Sequence, residues 1–396
     1  MSRTGALLLL TLWSCGAEPA APAPLPPLDF SAFDAALAGF VADHSLTGAT
    51  AVVVHRDRGI IHSRGFGSHD INRVSLIASS SKILTAGILL QLADRGLLDL
   101  DKPISTYLGA WGQHKTDITL AQLLSNSSGM VGLSDDPTYG SYLCQYLYFG
   151  TLEDCGNAIY TAKDDVDRVP PDSKFRYGGG QWQLAGAIAE VVSGRKWADL
   201  VEETYRKPCG LAVLGYSNHF SDAFNAGGGV QAAFGYPPFF HGDVADLPVT
   251  QNPNLEGGAY TTVTDYGEIL LMHLRKGACS GGRVLSEAAV ARMQGDRIGE
   301  VYGGTTPDPT LPGYGLGWWV SRQEPGYVAD PGAYGAMPWL DLPRGYGAMI
   351  LLEAEATLGA KARLLLKPVL DQIFDNPRDS RRASDAGAGA APRAAP

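Results

Sequence analysis

The stretch Ile77–Leu92, IASSSKILTAGILLQL, sets three serines and a lysine ahead of an apolar run that ends at Gly96. The run predicts a helix with Ser79 and Lys82 in its first turn. Three residues apart, the two side chains share a face, and the lysine amine comes within hydrogen-bond reach of the serine hydroxyl. Such a pair makes an activated nucleophile without a histidine, provided the lysine can lose its proton. Burial and the positive end of the helix dipole are both expected to lower its pKa. The simpler use of the same serine is a helix cap, with a surface lysine on the next turn. Ser80 and Ser81 fall off the lysine's face and are expected to pack or cap. A second S-x-x-K match, Ser193 to Lys196, follows the helical run Gly180–Val192. There Ser-Gly reads as a helix stop, and that match is expected to be structural.

The elements that must hold this pair come from both ends of the chain. FSAFDAALAGFVADH (Phe30–His44) has helical apolar spacing. ATAVVVHRDRGIIHSRGFG (Ala49–Gly67) reads as a hairpin turning at Arg56–Gly59. YGLGWWV (Tyr314–Val320) and GYGAMILLEA (Gly345–Ala354) are strand-like, and AKARLLLKPVLDQIFD (Ala360–Asp375) predicts a helix interrupted by Pro368. Between them, helical patterns and Gly/Pro loops dominate. One sheet assembled from both chain ends, with a helical subdomain inserted over about 80–297, leaves a cleft suited to a small molecule.

The chain has 396 residues, 45% of them hydrophobic and 18% charged, with 49 glycines and 25 prolines, which suits a loop-rich globular enzyme. A formal net charge of -10 leaves no broad basic surface for nucleic acid. At the N-terminus, one arginine precedes an apolar run (Ala6–Trp13) of signal-peptide length, so residues 1–15 read as an export signal. Leu12-Trp13-Ser14-Cys15-Gly16 resembles a bacterial lipobox, which would make Cys15 an acylated membrane anchor; the alternative is an ordinary signal cut a few residues later. The expected location is periplasmic or an outer-membrane lipoprotein, alternatively secreted. Residues 16–29 read as a Pro/Ala-rich tether, 30–375 as the folded domain and 376–396 as a disordered tail. The other four cysteines allow three pairings, and loop closure favours Cys144–Cys155, leaving Cys209–Cys279. Neither cysteines nor histidines fall at metal-ligand spacing, and no cofactor motif stands out.

Beyond the serine, the match becomes specific. Ser75–Gly109, Ile118–Met130 (ITLAQLLSNSSGM), Phe175–Gly194 (FRYGGGQWQLAGAIAEVVSG), Gly257–Leu274 and Tyr314–Trp319 resemble successive blocks of the serine β-lactamase and penicillin-binding-protein superfamily, in particular its class C-type β-lactamase and esterase branch. The similarity extends over roughly residues 30–375. It implies a fold of the α/β plus all-α class: an antiparallel sheet flanked by helices with a helical subdomain inserted, β-lactamase/transpeptidase-like. It also implies that Ser79 is the acylated nucleophile, Lys82 its proton acceptor, and Tyr177 the tyrosine of a Y-x-N motif that shares proton transfer and protonates the leaving group.

Two departures bear on substrate. Where the family carries K-T-G, H-x-G or W-G-G on a strand, this chain has Asp330-Pro331-Gly332, with no cation. The N–H of Ala333, with that of Ser79, can still form an oxyanion hole, since backbone donors do not depend on the side chain. Tyr177-Gly178-Gly179 lacks the asparagine amide. With Gly179, Asp330 and Gly332 at substrate-binding positions, Asp330 is expected to repel an anionic substrate. Hydrolysis of neutral esters is then favoured over β-lactamase or D-alanyl peptidase activity, on a small-molecule ester or amide. A catalytically silent envelope binding protein is the alternative of another class. An α/β-hydrolase is excluded by the absence of a G-x-S-x-G elbow. The loop FGYPPFFHGD (Phe234–Asp243) is read either as an apolar wall of the site or as a packed loop.

Overall fold

The computed structural model describes residues 28–221 and 235–375. The expected signal, Cys15, most of the tether, and the tail from residue 376 lie outside them.

Helix α1 (Ser31–Asp43) leads into the hairpin β1 (Gly48–His55) and β2 (Gly59–Gly67). Strand β1 is buried along nearly its whole length because it is internal, pairing with β2 on one side and with a C-terminal strand on the other. Its alternation divides the core. Ala49, Ala51 and Val53 face a cluster with α1 and the C-terminal helix Ala356–Asp375, whereas Val52 and Val54 face the helical region.

The short strands β3 (Ser75–Leu76), β4 (Leu214–Tyr216) and β5 (Ala259–Thr261) form a separate three-stranded sheet in the order β3-β5-β4. The ribbon β6 (Ala278–Cys279) and β7 (Gly282–Arg283) follows. Strands β8 (Gly313–Tyr314), β9 (Trp319–Val320), β10 (Tyr327–Ala329), β11 (Ala336–Asp341) and β12 (Tyr346–Leu351) complete the main sheet. Its order is β2-β1-β12-β11-β10-β9-β8, every pair antiparallel. The sheet is thus built from both chain ends.

Four expectations change in detail. Tyr314–Val320 is two short strands joined by a turn at Gly317 (φ +92°), not one strand. The C-terminal helix runs through Pro368, whose missing N–H removes one backbone bond without ending the helix. The inserted region is not wholly a helical subdomain, since the helix Val263–Leu274 packs against β1 and β12. Asp330-Pro331-Gly332 lies not on a strand but in the turn between β10 and β11. Both disulfides form with the expected pairing, Cys144–Cys155 and Cys209–Cys279.

Candidate active site

Ser79 lies in a 3-10 turn, Ala78–Ser81, that leads directly into helix α2 (Lys82–Asp94). Ala78 has φ +44°, a conformation that residues with a side chain rarely adopt, so the backbone is strained immediately before the serine. The turn is tied down on both flanks. Ser80 Oγ donates to Asp330 O at 2.6 Å, while Ser81 Oγ donates to Ala78 O and accepts from Ala259 N at 3.0 Å. These two serines therefore pack, leaving Ser79 as the one that borders open space.

That space is a cavity of about 680 Å³ whose lining includes Ser79, Leu133, Phe175, Tyr177, Trp319 and Ala333. Pro331 and Gly332 border it too, and Lys174 is its one lysine. Phe175, Tyr177, Tyr314 and Trp319 pack ring against ring, with Tyr177 and Trp319 centroids 5.4 Å apart. Ser134, Thr305 and Thr306 add hydroxyl groups to this mainly apolar lining. The loop from Tyr236 packs instead into the satellite core around Val74, Leu76 and Phe220, so of its two readings the packed loop is correct.

Beneath Ser79, Lys82 is fully buried. Its Nζ donates to Ser79 Oγ at 3.1 Å and to Glu256 O at 2.9 Å, and stands 3.5 Å from Glu256 Oε2. Three acceptors match the three N–H bonds of an ammonium. Burial, the largest single influence on Lys82, pushes it toward the neutral amine, but Tyr177 and Glu256 chief among its neighbours outweigh it, and the net direction is up. This reverses the expectation from burial and helix dipole alone. Lys82 Nζ lies 4.6 Å from the centre of the Tyr177 ring, and the two groups interact electrostatically. Burial raises its phenol pKa, and the Lys82 charge only partly offsets the rise. The resting triad is therefore serine hydroxyl, ammonium and phenol.

The turn carrying Tyr177 hangs on Asn126, which the sequence did not single out. Asn126 Oδ1 accepts from Gly178 N at 3.2 Å, Gln181 Nε2 at 2.9 Å and Trp182 Nε1 at 3.0 Å. It lies in the ITLAQLLSNSSGM block, whose resemblance was the only available signal.

The structure brings Gly332 and Ala333 to the cavity wall as expected. It does not bring Asp330 there. Asp330 is completely buried behind the nucleophile turn, where its Oδ2 accepts from Ile83 N at 3.3 Å near the start of α2. Burial pushes its carboxyl pKa far up, against the opposing influence of Lys82, and the side chain does not border the cavity. The expected repulsion of anionic substrates by Asp330 is corrected accordingly. Gly179 also stays off the cavity wall: its N–H donates to Glu256 Oε2 at 2.8 Å.

The chain matches the Beta-lactamase family over residues 33–367. It belongs to that family. It is similar to penicillin-binding protein 4 of Amycolatopsis lactamdurans, 28% identical over 326 residues, covering 80% of this chain and 79% of the relative. Among solved structures, a penicillin binding protein from Bacillus halodurans superposes with a TM-score of 0.60 at 20% identity, over 83% of this chain and 98% of that one. The hydrolase EstCE1, described as having promiscuous acyltransferase activity, superposes with a TM-score of 0.63 at 19% identity, over 87% and 96%. Proteins of this family are serine hydrolases, and the β-lactamase-fold neighbours include esterase and penicillin-binding types.

Proposed function

We propose that this protein hydrolyses neutral carboxylic esters through an acyl-enzyme on Ser79. One observation carries the choice of substrate: Leu133, Phe175, Tyr177, Pro307 and Trp319 make an apolar wall beside Ser79, the position of the motif cation is taken by the buried Asp330, and the lysine on the lining, Lys174, is paired with Asp135 at 3.3 Å. Ser79 Oγ attacks the ester carbonyl carbon, and its proton passes to the Lys82–Tyr177 pair once that pair has lost one proton to solvent. The N–H groups of Ser79 and Ala333 hold the oxyanion; the Ser79 amide belongs to the first turn of its helix, where amides have no intrahelical acceptor. The alkoxide leaves with a proton from Tyr177, and water then attacks the acyl carbon, returning Ser79. The two disulfides and the apolar N-terminal run support an exported location.

The test compares the purified protein with Ser79→Ala in fluorophosphonate labelling, hydrolysis of a short-chain nitrophenyl ester and turnover of a chromogenic cephalosporin. Labelling and ester hydrolysis confined to the protein with Ser79 are expected. No labelling would sink the nucleophile assignment, and cephalosporin turnover above ester turnover would overturn the substrate choice.

A further inference from the structure

Gly179 stands where the resemblance calls for an asparagine, and its backbone explains why none is there. At φ +62° and ψ -126°, it holds a conformation strained for any residue with a side chain. A Cβ at 179 would lie 3.0 Å from Gln145 Nε2 and 3.1 Å from its Oε1, so the Gln145 carboxamide already fills the adjoining volume. Another segment joins the Gly179 backbone to Lys82. Glu256, almost completely buried, places Oε2 3.5 Å from Lys82 Nζ and 2.8 Å from Gly179 N, and accepts on Oε1 from Tyr146 OH at 3.2 Å. Its backbone carbonyl accepts from the same Nζ.

We propose that Glu256 is a positioning residue that replaces the missing asparagine, clamping the Lys82 amine to the Tyr177 turn and, through its negative charge, setting the pH range in which Ser79 becomes a nucleophile. The proposal rests on the assignment of Ser79 and Lys82 made above and goes beyond it. An amide clamps without charge. A carboxylate clamps and also stabilises each proton held nearby, so Lys82 and Tyr177 give theirs up only at higher pH. The other titratable groups around this cluster are Tyr146, Tyr314 and Asp330. Burial pushes Tyr146 and Tyr314 toward their neutral phenols, and Asp330 acts on Lys82 in the same upward direction as Glu256 but after it in size. Activation of Ser79 is therefore expected to be alkaline.

The experiment follows the rate of fluorophosphonate labelling of Ser79 from acid to alkaline pH in the wild type, Glu256→Gln and Glu256→Asp. Glutamine keeps one acceptor oxygen for Gly179 N–H and Lys82, removes the charge, and turns the oxygen that accepts from Tyr146 OH into an amide donor to that phenol oxygen. In E256Q the acid-side inflection is expected to fall by at least about one pH unit, the usual size for a charge within 4–6 Å. E256D, which keeps the charge, is expected to remain near the wild type. A residue that only supports the fold would lower the rate at every pH and leave the inflection in place, and that outcome overturns the proposal. Titration of the Lys82 amine, followed by NMR on protein carrying ¹⁵N-labelled lysine, gives the same answer without chemistry at Ser79. If the wild type resists labelling, the nucleophile assignment fails, yet an unchanged Lys82 titration in E256Q would still be needed to refute the coupling to Glu256.

Discussion

Replacement of Gly332 by alanine tests how the oxyanion side of the cavity is held. A Cβ at 332 would stand 2.2 Å from Ile77 O, 3.0 Å from Ser80 Oγ and 3.1 Å from Ala336 Cβ. Comfortable contact needs roughly 3.5 Å, so the turn carrying Ala333 must retreat from the nucleophile turn by about 1 Å. The tightest of the three contacts, Ile77 O, is backbone, and the approach is fixed on each side: Ser80 Oγ is bonded to Asp330 O, and Gly332 N donates to Ala336 O at 2.7 Å. A donor must lie about 2.7–3.1 Å from the oxyanion, so a displacement of that size removes the Ala333 N–H, and losing one such donor costs about 10²–10³ in rate. The accompanying overpacking costs about 1–3 kcal/mol, a modest fall in Tm. The assay is kcat/KM for a nitrophenyl ester together with the fluorophosphonate labelling rate, both beside a melting curve. Ala333→Ser serves as the control, since it leaves the backbone donor in place. A G332A protein that labels and turns over within about threefold of the wild type would refute the oxyanion role assigned to this turn.

Two further predictions concern buried titratable groups. Asp330→Asn should leave the ester rate within a few-fold of the wild type, because the side chain is buried and does not border the cavity. Asp330→Ala should cost about 1 kcal/mol through loss of the acceptor for Ile83 N. A more than tenfold gain of D330N toward anionic lactams would show that Asp330 does act on the cleft. His219 and His273 are both held neutral by burial, their pKa values pushed down to about 3. The unfolded chain takes up protons on both below about pH 6.5 while the folded protein does not. Their stability contribution is thus complete above that pH and declines as pH falls toward 3, by up to about 1.4 kcal/mol per unit for each histidine. Chemical denaturation at pH 7, 6 and 5 should show the decline, and His273→Leu should flatten it; equal slopes would contradict the assignment.

What was legible in the sequence is what local spacing encodes. Ser79 and Lys82 lie three residues apart in one turn, and their contact at 3.1 Å needs only that the turn form. Tyr177 was found through the block around it. Glu256 was missed because its partnership with Lys82 joins residues 174 apart in the chain, and the resembling block Gly257–Leu274 begins one residue after it. Asp330 was placed in the right segment but pointed the wrong way. Its direction depends on a turn between β10 and β11, where the alternation of a strand no longer applies. The sheet of β3, β4 and β5 escaped notice because strands of two or three residues are too short to show a period.

The pairing of β1 with β12 has a consequence for how the molecule comes into being. Thr50 aligns with Leu351, so an internal strand of the sheet waits for a partner made some three hundred residues later. As the chain emerges, the apolar β1–β2 hairpin stays half-covered until β12 arrives, and contacts of such long range make folding slow. The same closure joins the turn at Ser79 to the turn at Ala333. On the proposed assignment, acyl transfer at Ser79 needs both turns and so awaits the docking of the last strands.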